Sequence, residues 1–188
     1  MRLTSLRCYT AVRRLSTAAA PAGSAALSGI SSKPIIGASR STLVKTMMNA
    51  IDMPGRFLPV SSVHVRPAEG EAGEDGALWR SITHATSGDT LQEHIYANPS
   101  KGEIRYVGLD ADGKSEGELE VVHSLVKNKE NGSLSIEYFM RNRETRQRVD
   151  WTALHSLDEA ENAIETTIAL ARAKECQIAD PNFVGVKA

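Results

Sequence analysis

The sequence contains few of the features that identify a reaction. It has only two cysteines, Cys8 and Cys176, which is too few for a disulfide framework and gives no metal-ligand spacing. No stretch approaches the roughly 20 consecutive apolar residues that a membrane-spanning helix requires. A glycine-rich phosphate loop and a Ser/His/Asp pattern are also missing. We therefore predict a soluble chain with no transmembrane segment, no metal and no cofactor.

Acidic residues are missing from the first part of the chain. No Asp or Glu precedes Asp52, so residues 52–188 contain all 23 acids and 15 of the 22 basic residues, a formal charge of −8. Binding of nucleic acid requires a basic face that contacts phosphates. The acidic body therefore argues against a nucleic-acid partner.

Residues 1–34 are instead rich in Arg, Ser, Thr and Ala, the composition of an organellar transit peptide. Arg7, Arg13 and Arg14 interrupt every apolar run that could serve as a secretory signal. We expect residues 1–34 to be a disordered mitochondrial transit peptide and linker, which places the protein in the mitochondrial matrix. The alternative is a basic tail that has no targeting role.

The stretch from Leu78 to Met140 alternates apolar and polar residues and pauses only at turn-forming residues. Such alternation predicts antiparallel strands with one buried face, arranged as a meander. Asn131-Gly132 predicts a tight hairpin, because both residues tolerate positive φ. The segment Arg141–Arg148 contains four arginines and one acid. It could be an anion-binding strip or a solvated loop, and we favour the loop.

Two helices flank the strands. Apolar residues at helical spacing predict the first between Ser41 and Met53, ended by Pro54-Gly55. The second is predicted over Leu157–Lys174, where Ser156 and Glu159 fit a capping box. Its apolar stripe, which should pack on the sheet, consists of Leu157, Ala160, Ile164, Ile168 and Ala171. Residues 177–188 are expected to be a loose tail.

An early helix, about six antiparallel strands and a long C-terminal helix resemble, in this order, the START-like or SRPBCC superfamily. The chain is most similar to its AtaL-like branch in Arg56–Pro59, Thr90–Ile95 and Gly132–Tyr138. The resemblance implies an α+β helix-grip fold over residues 35–176, in which a curved antiparallel sheet wraps around the C-terminal helix. Members usually begin with an edge strand, for which only Ile35-Ile36-Gly37 is available here.

The resemblance also implies an apolar cavity between the sheet and the C-terminal helix, which would be the functional site. Glu93 lies on the apolar face of its strand, where a carboxylate requires a partner, and Arg80 and His123 are the natural ones. These three residues could form an acid–base site with Glu93 as the catalytic candidate; a cluster that satisfies itself is the interpretation we favour. The candidate ligand-binding residues are Arg80, Glu93, Tyr106, His123 and Tyr138.

We therefore expect a mitochondrial domain that binds a small hydrophobic ligand, such as a lipid, a polyketide or an isoprenoid-like molecule. One alternative is an enzyme of the cyclase, dehydratase or hydrolase type that uses the same cavity. Another is a non-catalytic assembly or quinone-chaperone factor. A role without catalysis is favoured, and the sequence identifies no protein partner.

Overall fold

The computed structural model describes residues 29–68, 77–149 and 157–179. These residues form helix α1 (Arg40–Asp52), a 3-10 turn (Pro54–Arg56) and helix α2 (Leu157–Ala179). They also form the strands β1 (Ile30–Ser31), β2 (Val60–Pro67), β3 (Leu78–His84), β4 (Thr90–Asn98), β5 (Glu103–Gly108), β6 (Leu119–Lys127), β7 (Leu134–Asn142) and β8 (Arg148–Val149).

All the strands belong to one antiparallel sheet. Its order is β1-β7-β6-β5-β4-β3-β2, and β8 pairs with β7 on the same side as β1. Strands β3 to β7 follow one another in sequence and in space, which is the predicted meander. The α+β helix-grip architecture predicted from the sequence is therefore confirmed.

The alternation along the strands gives the sheet two distinct faces. The inner face, which contacts the helices, carries the row Ile95, Tyr106, Val121 and Met140, paired across β4 to β7. These four side chains are buried in one core with residues of both helices. The outer face carries the intervening residues of the same strands.

Helix α1 forms where the sequence predicted it. The Ser39 side chain accepts a hydrogen bond of 3.2 Å from the Thr42 amide, so Ser39 caps the helix and supplies one missing partner at its N-terminus. Leu43 and Met47 have no exposed surface and contribute to the core against the sheet. The apolar spacing thus faces the sheet, as expected.

Helix α2 extends five residues beyond the predicted end at Lys174, because no glycine or proline interrupts it before Pro181. Ala160, Ile164 and Ala171 of the predicted stripe are buried in the core, and Ile168 packs against it. The proposed capping box, Trp151 and most of the C-terminal tail lie outside the described residues.

The β6–β7 connection is wider than the tight hairpin predicted from Asn131-Gly132. The last ladder pair is Lys127 with Leu134, and Gly132 alone adopts a positive φ, of 71°. The Asn128 side chain accepts hydrogen bonds from the amides of Glu130 and Asn131. This side-chain-stabilised turn competes with the tight hairpin and explains the longer loop.

The edge strand lies earlier than the sequence predicted. Ile30 pairs with Tyr138, while Ile35 forms only an isolated bridge with Leu134. The sheet therefore includes residues assigned to the linker. Gly29 makes this approach possible, since an added Cβ would lie 2.7 Å from the Cβ of Phe139. Its φ of 147° also disfavours other residues.

Candidate ligand-binding site

The inner face contains a buried ion pair between neighbouring strands. Arg80 on β3 and Glu93 on β4 occupy paired positions. Nε and Nη2 of Arg80 donate to Oε1 of Glu93 over 2.8 and 2.5 Å. Arg80 is therefore the partner that Glu93 was predicted to require.

Arg80 also connects the sheet to α1. Its Nη1 donates to the carbonyl oxygens of Ala50 (3.0 Å) and Ile51 (3.3 Å), near the helix C-terminus, where carbonyls lack partners within the helix. Burial acts to lower the pKa of Arg80, but the charge and hydrogen bonds of Glu93, together with the nearby Tyr106 and Tyr138, outweigh this effect and raise the pKa above its usual value. Arg80 is thus a permanent cation held between a carboxylate and a helix end.

Tyr106 completes this cluster. The guanidinium carbon of Arg80 lies 5.1 Å from the centre of the Tyr106 ring, within the range of a cation–π interaction. Burial raises the pKa of Tyr106 to about 12, an effect that Arg80 opposes and Glu93 reinforces. Tyr106 therefore remains a neutral phenol at physiological pH. The contacts of this cluster give Glu93 a structural role, and a catalytic role for it remains a prediction.

His123 and Tyr138 form a second cluster on the same face. They are paired on β6 and β7, and their rings meet edge to face, with 5.5 Å between centres and 63° between planes. His123 is only 4% exposed, and no residue that the structure describes makes a hydrogen bond to its Nε2 atom. Burial lowers the pKa of His123 to about 4, so its imidazole is neutral at pH 7.

Glu93 and His123 are not in contact in the structure. Glu93 pairs with Gly108 on β5, whereas His123 pairs with Ile104, four residues away along that strand. At about 3.3 Å per residue and about 4.8 Å between strands, their Cα atoms are about 16 Å apart. The predicted contact between these two side chains is therefore wrong. An alternating pattern predicts the face of each residue but not its position along the face.

The outer face contains a different cluster, centred on Glu120. Its side chain has no exposed surface and lies near three guanidinium groups. Arg141 Nε and Arg146 Nη1 each donate to Oε1 over 2.6 Å, and Arg105 Nη1 donates to Oε2 over 3.3 Å. Arg141 lies in β7 and Arg146 in the exposed turn that follows it, so the predicted solvated loop describes only residues 144–147. The contact of both arginines with a buried acid was part of neither interpretation.

Glu116 anchors the neighbouring part of the outer face. It accepts a hydrogen bond of 2.5 Å from the Tyr96 hydroxyl, lies 2.7 Å from His94 Nδ1 and pairs with Arg143. Burial acts to raise the pKa of Glu116, but the hydrogen bonds from Tyr96 and His94 and the charge of Arg143 lower it. Burial and the hydrogen bond to Glu116 raise the pKa of Tyr96 to about 12.

Sequence reasoning missed these outer-face clusters. The available signal was the presence of apolar residues on the outer face: Val107 on β5 and Val122 on β6 both lie there and are fully buried. A second buried surface brings nearby polar residues out of water, so acids such as Glu120 then require cationic partners. Periodicity alone suggests one buried face and therefore hides this requirement.

Within residues 29–68, 77–149 and 157–179, no helix is long and apolar enough to cross a membrane. No group of three or more His, Cys, Asp or Glu residues in these ranges has the geometry to hold a metal ion.

Comparisons with known proteins define the fold. The structure is similar to the di-domain ARO/CYC protein StfQ from the steffimycin biosynthetic pathway, with a TM-score of 0.51 and 11% identity over 80% of this chain and 46% of that chain. It is also similar to the Zhui aromatase/cyclase from Streptomyces sp. R1128, with a TM-score of 0.47 and 11% identity over 83% and 98% of the two chains. Protein CV1439 from Chromobacterium violaceum gives a TM-score of 0.43 and 14% identity over 77% and 97%.

The sequence matches no protein-family model and no curated protein. At such low identity the structural likeness concerns the fold alone. The chain has a helix-grip fold, and in its fold it agrees with the resemblance to the START-like superfamily. Function must be inferred from the side chains themselves.

Proposed function

We propose that this protein binds a small hydrophobic ligand, of the lipid, polyketide or isoprenoid type, between the inner face of the sheet and helix α2. Pockets for such ligands are mostly apolar and contain a few polar groups that fix orientation. The inner face has this composition, with Tyr106, His123 and Tyr138 among aliphatic residues.

The observation that carries the proposal is the Nε2 atom of His123. A buried polar atom without a hydrogen bond costs about 1–3 kcal/mol. A ligand that reached Nε2 would remove this cost on binding. A ligand would gain less from Arg80 and Glu93, because the Arg80 nitrogens and Glu93 Oε1 already bind each other and the end of α1.

The neutral state of His123 narrows the class of ligand. An imidazole with a pKa of about 4 carries no charge at pH 7 and offers either one donor or one acceptor at Nε2. A hydroxyl or carbonyl group is its natural counterpart, whereas a carboxylate would gain no ion pair. We therefore expect an apolar ligand with an uncharged oxygen.

Native mass spectrometry of the protein purified from its own cells tests this proposal. The wild-type protein should retain a small apolar molecule, and His123→Leu should reduce its occupancy by about two- to tenfold, the effect of one lost hydrogen bond. The same substitution at the exposed His64 is the matched control and should leave occupancy unchanged. Absence of any bound molecule, or equal occupancy in His123→Leu, would contradict the proposal.

We also propose that the protein acts in the mitochondrial matrix. The support is the arginine-rich, acid-free composition of residues 1–34. Because the sheet begins at Ile30, a reporter fused to residues 1–28 separates targeting from folding of the domain. The reporter should enter mitochondria, and its retention in the cytosol would overturn this assignment.

A further inference from the structure

A pocket of about 450 Å³ lies on the outer face of the sheet, opposite the face that would hold the hydrophobic ligand. Its lining includes Tyr96, Asn98, Lys101, Arg105, Arg141 and Arg146. These residues come from strands β4, β5 and β7, the β4–β5 turn and the β7–β8 turn. The proposed ligand on the inner face requires none of them.

The pocket is positively charged, although residues 52–188 carry a formal charge of −8. Its lining contains four cations and one acid, Glu103. Glu120 lies beneath and pairs with three of the cations. Among these described residues, two carboxylates stand against four cations, an excess of two positive charges.

Donor groups remain available in the pocket. Arg141 and Arg146 each use one guanidinium nitrogen to bind Glu120. The other nitrogen atoms of these two guanidinium groups make no hydrogen bond within the described part of the chain, and Arg141 Nη2 lies 3.9 Å from Glu103. A guanidinium group provides five donors in a fixed fork, the geometry that matches an oxyanion.

Hydrogen bonds fix the two backbone turns from which Arg146 and Lys101 extend. Arg146 adopts a left-handed backbone conformation, with φ of 60°, in a turn closed by a hydrogen bond of 3.0 Å from its amide to the Asn142 carbonyl. Asn98 Oδ1 accepts hydrogen bonds from the Ser100 hydroxyl and the Lys101 amide and so fixes the β4–β5 turn. Strained positions of this kind are often found at binding sites.

We propose that this pocket binds a small oxyanion with two negative charges, such as the phosphate group of a phosphate monoester. The two negative charges of such an oxyanion would balance the two excess positive charges of the pocket. Arg141 and Arg146 provide paired donors, and the exposed Lys101 provides a compact charge. The site is separate from the hydrophobic-ligand site, so either proposal can fail without the other.

Isothermal titration calorimetry with inorganic phosphate, on the full chain at low ionic strength, tests this site. Phosphate should bind the wild-type protein. Arg146→Gln should weaken binding about tenfold, because a charge-assisted pair of hydrogen bonds is lost. Lys101→Gln should weaken it about threefold, since Lys101 is exposed and solvent screens its charge.

Lys127→Gln is the matched control, because Lys127 is also exposed but lies outside the pocket lining. It should bind phosphate as the wild type does. Lys101 makes no side-chain hydrogen bond or ion pair in the described structure, so Lys101→Gln tests the pocket without disturbing the fold. Failure of the wild-type protein to bind phosphate, or wild-type affinity in both Lys101→Gln and Arg146→Gln, would overturn the proposal.

Discussion

In the part of the chain that the structure describes, each face of the sheet buries one glutamate, but the two faces compensate its charge differently. On the inner face, Glu93 is 2% exposed and pairs with a single arginine that is 6% exposed. On the outer face, Glu120 is 0% exposed and contacts Arg105, Arg141 and Arg146, whose side chains are 20%, 18% and 55% exposed. The inner pair balances its charge, whereas the outer cluster has an excess of cations.

This difference makes the inner Arg80–Glu93 pair a structural site and the outer Glu120 cluster a candidate binding site. Arg80 directs its donors to Glu93 and to the end of α1, so the inner pair connects sheet and helix and has little capacity for a ligand. On the outer face, Arg141 and Arg146 each use one guanidinium nitrogen for Glu120 and retain other donors. A buried carboxylate is therefore not by itself a sign of catalysis, and the number and exposure of its partners indicate its role.

The largest predicted effect is that of Glu93→Gln. This change leaves the Arg80 cation buried without a counter-charge, so we expect the free energy of unfolding to fall by about 3–5 kcal/mol. Urea denaturation followed by circular dichroism measures this loss.

The double variant Arg80→Met/Glu93→Leu is the control for this prediction. Removing both charges should recover most of the lost stability, because apolar residues often replace a buried ion pair at little cost. A double variant as unstable as Glu93→Gln would show that the contact of Arg80 with α1, rather than the charge balance, holds this region together.

His123 provides a second prediction for the inner face, through pH. Its pKa is about 4 in the folded protein and about 6.5 in the unfolded chain, so the unfolded chain binds the proton more readily. The stability that depends on neutral His123 is complete above pH 6.5 and is lost as the pH falls to about 4. A difference of this size corresponds to a loss on the order of 3 kcal/mol.

Urea denaturation between pH 4 and 8 tests this dependence. His123→Leu removes the titrating group and should flatten the stability curve in this range relative to the wild type. His64→Leu, at an exposed position, should keep the wild-type curve. An unchanged pH dependence in His123→Leu would mean that other groups cause the acid sensitivity.

The sequence was informative about elements and faces, for physical reasons that these residues illustrate. The alternation of Leu91, Glu93 and Ile95 follows from the two-residue period of a strand, so it correctly assigned Glu93 to the inner face next to Arg80. Helix α1 was predictable because Ser39 and Pro54 mark its ends through local backbone chemistry.

What the sequence did not predict depends on register and on long-range packing. His123 was assigned to the correct face, but its distance from Glu93 depends on how β5 pairs with both neighbours. The contact between Arg146 and Glu120 joins residues 26 positions apart through a left-handed turn at a residue other than glycine. Local patterns contain no information about such a turn.

The smallest predicted effect, and the sharpest contrast between the faces, is that of Glu120→Gln. The three arginines lose their buried acid, but they are partly exposed and water can solvate them. We therefore expect the free energy of unfolding to fall by about 1–3 kcal/mol, less than for Glu93→Gln.

Salt should separate the two variants. Raising the salt concentration from about 0.1 M to about 1 M shortens the screening length from about 10 Å to about 3 Å. Dissolved anions can then approach the outer arginines and replace the missing carboxylate, so Glu120→Gln should regain most of the lost free energy of unfolding. Arg80 is inaccessible to these anions, so the loss caused by Glu93→Gln should persist at high salt. Urea denaturation of both variants at the two salt concentrations measures this contrast, and an equal salt response would mean that the two faces do not differ in their access to anions.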